Sequence, residues 1–153
     1  MTIIIVLLLL MLALLSILEV SFTSLNIIRI KRLADTGNKS AKVVYKLYSN
    51  YSETLTTILV INCICGILVS TLTTYYFSNL YGDKIIPLVT IILTIIILVF
   101  TEIAPKIIGR EYAEDYALKL CNLLKWMVKL LLPLTKAIGK FEKKVKNNHK
   151  VTA

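Results

Sequence analysis

The chain has 153 residues, 57% of them hydrophobic, with a mean hydropathy of +0.77. Apolar runs of that extent leave no polar face for solvent, which excludes a water-soluble globule and implies a membrane domain. The net charge of +9 stands beside those runs, where basic residues meet anionic headgroups and set topology rather than hold nucleic acid.

Thr2 to Leu18 is almost wholly apolar. No basic stretch precedes it and the first positive charge is Arg29, so the segment is expected to insert with its N-terminus outside and to stay, rather than to be cleaved as a signal. A first span over residues 2–26 follows. Arg29, Lys31, Arg32, Lys39, Lys42 and Lys46 then face a single acid, Asp35, the mark of a cytoplasmic loop, and Gly37-Asn38 divides it into two short helical pieces.

A second span is expected over 55–77. Asn62, Gly66 and Ser70 recur along it at steps of four, a stripe that reads as a helix-packing face. Cys63 and Cys65 lie in the same run without histidine partners, and with Cys121 they make an odd number of thiols. Zinc and a disulfide framework are therefore disfavoured, and the cysteines read as small packing residues. After a short turn with one basic residue, Lys84, the third span occupies 85–108.

The apolar run Tyr116 to Leu134 is interrupted by Lys119, Lys125 and Lys129. Were it to cross, Lys136, Lys140, Lys143, Lys144, Lys146 and Lys150 would lie outside, against the positive-inside rule, so an amphipathic juxtamembrane helix over 111–138 fits better. The expected fold is an all-α membrane protein. Three transmembrane helices and the juxtamembrane helix form a domain over 1–140, and a basic cytoplasmic tail with the single His149 occupies 141–153. The chain would be multi-pass in the cell (inner) membrane, N-terminus outside and C-terminus cytoplasmic, in contact with lipid.

The chemistry gathers at Thr101-Glu102-Ile103-Ala104-Pro105-Lys106. A charged side chain near the bilayer centre costs roughly 2.5–3.5 kcal/mol on insertion scales, so an intramembrane acid points to function. Pro105 has no N–H, which in an α-helix deprives the Thr101 carbonyl of its partner and interrupts the third span. A carboxylate beside a freed carbonyl outlines a hard-cation site. The plainer alternative is an i,i+4 ion pair between Glu102 and Lys106.

In the first span Ser16, Glu19, Thr23 and Asn26 recur at helical steps and would share a face. At 1.5 Å per residue Ser16 lies roughly 20 Å below the outer boundary, Glu102 roughly 25 Å below Ile85, and Asn62 roughly 10 Å above the inner boundary. These depths fall in one layer of a core about 30 Å thick. All the donors are hard oxygens, which favours Mg²⁺, Ca²⁺ or Na⁺ over transition metals. The alternative is ordinary interhelical hydrogen bonding by Ser and Asn. No nucleophile, base and orienting partner occur together, so an enzyme is not expected.

Four ordered stretches resemble the CorC/CNNM (cyclin M) family of magnesium transporters. They are Ser16-Ile17-Leu18-Glu19-Val20-Ser21-Phe22-Thr23-Ser24, Leu33-Ala34-Asp35-Thr36-Gly37-Asn38-Lys39-Ser40-Ala41, Thr57-Ile58-Leu59-Val60-Ile61-Asn62, and Glu102-Ile103-Ala104-Pro105-Lys106. The resemblance implies a dimeric three-helix domain that transports Mg²⁺ as substrate, with export coupled to Na⁺ entry. It carries the ion-binding positions onto Ser16, Asn62 and Glu102, with Gly109 as a carbonyl ligand and Glu19, Pro105 and Lys106 in support. Leu18, Cys63 and Gly66 stand where the family often has further polar side chains, and Ser21 replaces an alanine. The family's cytoplasmic CBS module is not among these residues. The alternative function is a non-transporting membrane scaffold or sensor whose polar residues only pack helices.

Overall fold

The computed structural model describes the backbone of residues 1–151, and the side chains apart from 134, 135, 138, 139 and 141–151. The side chains expected to form the basic tail at 141–153 thus lie outside the described residues. Among the described residues every element is helical: α1 (Thr2–Ser24), α2 (Ile27–Asp35), α3 (Lys39–Ser49), α4 (Tyr51–Tyr81), a 3₁₀ turn (Asp83–Ile85), α5 (Ile86–Ile96), a π-helical segment (Ile97–Ile103), α6 (Ala104–Glu111) and α7 (Ala113–Val151). Three stretches, Thr2–Ser24, Tyr51–Tyr81 and Asp83–Glu111, are long and apolar enough to cross a membrane. Helices suit that setting because each N–H and C=O is satisfied within its own segment.

The breaks between helices follow local chemistry. α1 ends at Ser24, and Asn26 caps α2, its side chain accepting from the N–H groups of Ile28 and Arg29. Gly37, at φ +96°, closes α2 in the left-handed conformation open to glycine. The Gly37 N–H then reaches the Ala34 carbonyl and the Asn38 N–H the Leu33 carbonyl, the paired bonds of a Schellman motif. Asn38 at once caps α3 by accepting from the Ala41 N–H at 3.0 Å. Three residues of turn chemistry, Thr36 to Asn38, therefore make the expected pair of short helices.

That hairpin packs under the spans. Leu18, Phe22, Leu25, Ile30, Ala34, Ala41, Val44, Leu47, Ile58, Ala117, Cys121 and Leu124 form one buried cluster drawn from α1, α2, α3, α4 and α7. Phe22 is fully buried, stacked on Tyr51 at 5.5 Å and tilted against Tyr48 at 5.6 Å. α7 contributes Ala117, Cys121 and Leu124 at steps of four and three, one helical stripe, while Lys125, Trp126 and Lys129 stay exposed. Arg29 and Glu114, 3.1 Å apart, tie α2 to the start of α7. A second, smaller cluster of Leu12, Leu15, Cys65 and Met127, joined by Ile61 and Ile97, lies within the spans. Cys65 and Cys121 are thus both packing residues.

The expected packing stripe on α4 is split, with the Asn62 Oδ1 buried and the rest of the stripe not in contact. A Cβ placed on Gly66 would meet nothing within 4 Å, and Ser70 is exposed. The buried face is instead Thr54, Thr57, Ile58, Cys65, Val69 and Thr73.

Candidate cation site within the spans

α1 packs against α4, α6 and the π-helical segment, so the elements that carry the expected donors all meet α1. The small cluster around Leu15, Cys65, Ile61 and Ile97 marks the level where they meet. Ser16 follows Leu15, Asn62 follows Ile61, and Thr101 stands one turn beyond Ile97.

Two of the expected donors share an unusual state. Ser16 Oγ and Asn62 Oδ1 are buried and have no hydrogen-bond partner among the described residues. A buried polar atom left unpaired costs about 1–3 kcal/mol, and such atoms are few in native proteins, so each asks for a partner from elsewhere. Thr73 Oγ1, nearer the other end of α4, is in the same condition and was not singled out by its sequence context.

The interruption of the third span takes the form of a π-helical stretch ahead of Pro105. The Ala104 N–H reaches back five residues to the Val99 carbonyl. The α-helical α6 begins at that same residue, and Pro105, its second residue, has no N–H, so a main-chain oxygen of the preceding turn is left over. The Thr101 hydroxyl is buried and donates to the Ile97 carbonyl at 2.8 Å. Such π segments are frequent at functional sites.

Glu102 is half-buried and forms no ion pair among the described residues. Lys106, four residues on, pairs across the helix interface with Glu19 of α1 instead, at 3.8 Å, their side chains 38% and 18% exposed. The i,i+4 pair of Glu102 with Lys106 is therefore not formed. Glu102 and Lys106 keep the same half-buried face, but the lysine is drawn across to the acid on α1.

Two other expectations change. Thr23 and Asn26 do not join Ser16 and Glu19: α1 stops before Asn26, which is spent on capping α2, and the exposed Thr23 hydroxyl donates to the Glu19 and Val20 carbonyls. The Gly109 carbonyl already accepts a buried hydrogen bond from Ser21 Oγ at 3.1 Å. A carbonyl keeps a second lone pair, so this bond narrows its role without removing it. Ser21 is the residue missed at this interface, and no local pattern could have found it, since its partner lies 88 residues away.

Among the described residues no three His, Cys, Asp or Glu side chains come together. A cation held here would rest on one carboxylate with neutral oxygens from hydroxyl, amide and main chain, a donor set suited to hard ions.

The chain matches the cyclin M transmembrane N-terminal domain over residues 3–152. It belongs to that family. A UPF0053 protein of Haemophilus influenzae is 33% identical over 89 residues, 58% of this chain and 21% of the relative. The UPF0053 inner membrane protein YfjD of Escherichia coli is 36% identical over 80 residues, 52% of this chain and 19% of the relative. The matched stretch is about a fifth of the length of these curated relatives. As a cyclin M domain with three spanning helices, the chain is a multi-pass membrane protein in contact with lipid.

Proposed function

We propose that this cyclin M domain carries Mg²⁺ across the cell membrane through an intramembrane oxygen site of Ser16, Asn62 and Glu102, with Gly109 lending main-chain oxygen. The observation that carries the reading is the pair of buried, unpartnered oxygens, Ser16 Oγ and Asn62 Oδ1, on two helices packed together. Hydroxyl and amide oxygens are neutral, and Glu102 supplies the charge that draws a divalent cation from water. Mg²⁺ takes six oxygens at about 2.1 Å and keeps several waters, so three or four protein oxygens suffice. Pro105 and the π-helical segment leave main-chain oxygen at the same end of the third span, and Lys106, engaged by Glu19, does not neutralise Glu102.

The fuller reading is transport rather than catalysis, with Na⁺ entry driving Mg²⁺ export, in a homodimer whose N-termini lie outside and C-termini in the cytoplasm. The open stripe at Gly66 and Ser70 on α4 supports close approach of a second copy. A CBS module would belong to the part of the longer relatives beyond this chain. The scaffold alternative has one observation in its favour, the Ser21 to Gly109 bond, which holds α1 to α6 and binds nothing else. Mg²⁺-dependent flux in proteoliposomes separates the two. The transport reading expects flux in the wild type and none in Glu102→Ala, and a scaffold gives no flux in either.

A further inference from the structure

A second feature lies at the C-terminal end of the third span, apart from Ser16 and Asn62. Ile103, Lys106, Ile107, Arg110 and Glu111 line an open cleft of about 500 Å³. Ile103 and Ile107 are one turn apart and 48% and 62% exposed, which makes an apolar strip. Lys106 and Arg110 are also one turn apart and make a basic strip beside it. Arg110 is exposed and its guanidinium has no hydrogen bond or ion pair among the described residues. Lys106 has only its long contact to Glu19 at 3.8 Å.

The depth of these residues decides what fits. For an upright helix counted from Ile85, Ile103, Lys106 and Arg110 lie roughly 27, 32 and 38 Å down, against a hydrocarbon core about 30 Å thick. Ile103 therefore lies within the edge of the acyl layer, Lys106 and Ile107 stand together just past it at roughly 32 and 33 Å, and Arg110 reaches phosphate level. A free phosphate has no use for the apolar strip. The lone acid on the lining, Glu111, is exposed and one residue further toward water.

We propose that the cleft beside Ile103, Lys106, Ile107 and Arg110 binds an anionic glycerophospholipid, its phosphodiester held between Lys106 and Arg110 and an acyl chain lying along Ile103 and Ile107. Arg110 supplies the fork of N–H donors suited to a phosphate, and Lys106 a second charge. Because Lys106 also meets Glu19, a bound phosphate draws it away from α1. The lipid is thereby coupled to the packing of α1 on α6, whatever ion the spans carry.

The test is native mass spectrometry and thermal stability of the full chain in detergent, titrated with phosphatidylglycerol and with phosphatidylcholine. The wild type should retain phosphatidylglycerol and be stabilised by it in preference to phosphatidylcholine. Arg110→Gln should lose about tenfold in phosphatidylglycerol affinity, the loss of one charge-assisted contact. Arg110→Lys should recover part of it, and Lys125→Gln, an exposed lysine on α7, should bind as wild type. Arg110 holds no partner, so its replacement leaves the fold intact and the reading clear. Equal binding of the two lipids, unchanged binding in the Lys106→Gln, Arg110→Gln double variant, or equal stabilisation by inorganic phosphate would overturn the proposal. So would efficient disulfide cross-linking between protomers through Ile107→Cys, which would show a second copy filling the cleft.

Discussion

Gly109 of α6 lies so close to Ile17 of α1 that a Cβ built on it would stand 2.8 Å from the Ile17 carbonyl oxygen and 3.1 Å from the Ile17 Cα. Both neighbours are backbone, which cannot turn aside as a side chain would. Gly109→Ala should force the two helices apart and destabilise the protein by about 1–3 kcal/mol, the usual cost of overpacking. Gly66→Ala is the control, since a Cβ there meets nothing within 4 Å. A thermal melt of both variants should show a lowered midpoint for the first alone. Equal midpoints would mean that α1 and α6 are less closely packed.

The hydroxyls of Ser16 and Ser21 are both fully buried on α1 but differ in partner. Ser21→Ala removes the bond to the Gly109 carbonyl and should cost about 1 kcal/mol, with Mg²⁺ binding largely kept. Ser16→Ala deletes an oxygen that has no partner, so stability should be unchanged or slightly raised while Mg²⁺ binding weakens. Thermal midpoints and calorimetric Mg²⁺ titrations on the same two variants check this opposition. A drop in stability for Ser16→Ala would reveal a structural bond at that hydroxyl.

Much of this arrangement was legible because a bilayer simplifies the physics. Apolar runs that must satisfy their own backbone become helices, so the three spans, the Gly37-Asn38 break and the amphipathic start of α7 follow from hydropathy and turn chemistry. Ser16 and Asn62 stood out as polar residues at one depth. What local pattern could not show was direction around each helix. Gly66 and Ser70 look like a contact stripe and are open, and Asn26 continues the spacing of Ser16 and Glu19 yet caps the next helix. Partners far apart in the chain, Ser21 with Gly109 and Glu19 with Lys106, depend on helix packing that no single segment encodes. The π-helical register of Ile97–Ile103 likewise has no local sequence signature.

The Glu19 to Lys106 contact is long and only partly buried, with 3.8 Å between charges. A double-mutant cycle of Glu19→Gln and Lys106→Gln should give a coupling of about 0–1 kcal/mol in stability, as exposed ion pairs do. A coupling of several kcal/mol would place the pair in a dry, enclosed setting instead.

Glu102→Gln tests the central claim most directly, because it is nearly isosteric and removes only charge. Glu102 has no ion-pair partner among the described residues, and Lys106 is engaged by Glu19, so the variant should fold and melt as the wild type does. Isothermal calorimetry of Mg²⁺ binding should then show the wild type binding and the variant losing about tenfold or more in affinity, about 1.4 kcal/mol at the least. Unchanged Mg²⁺ affinity in Glu102→Gln at an unchanged melting midpoint would contradict a cation site built around this carboxylate.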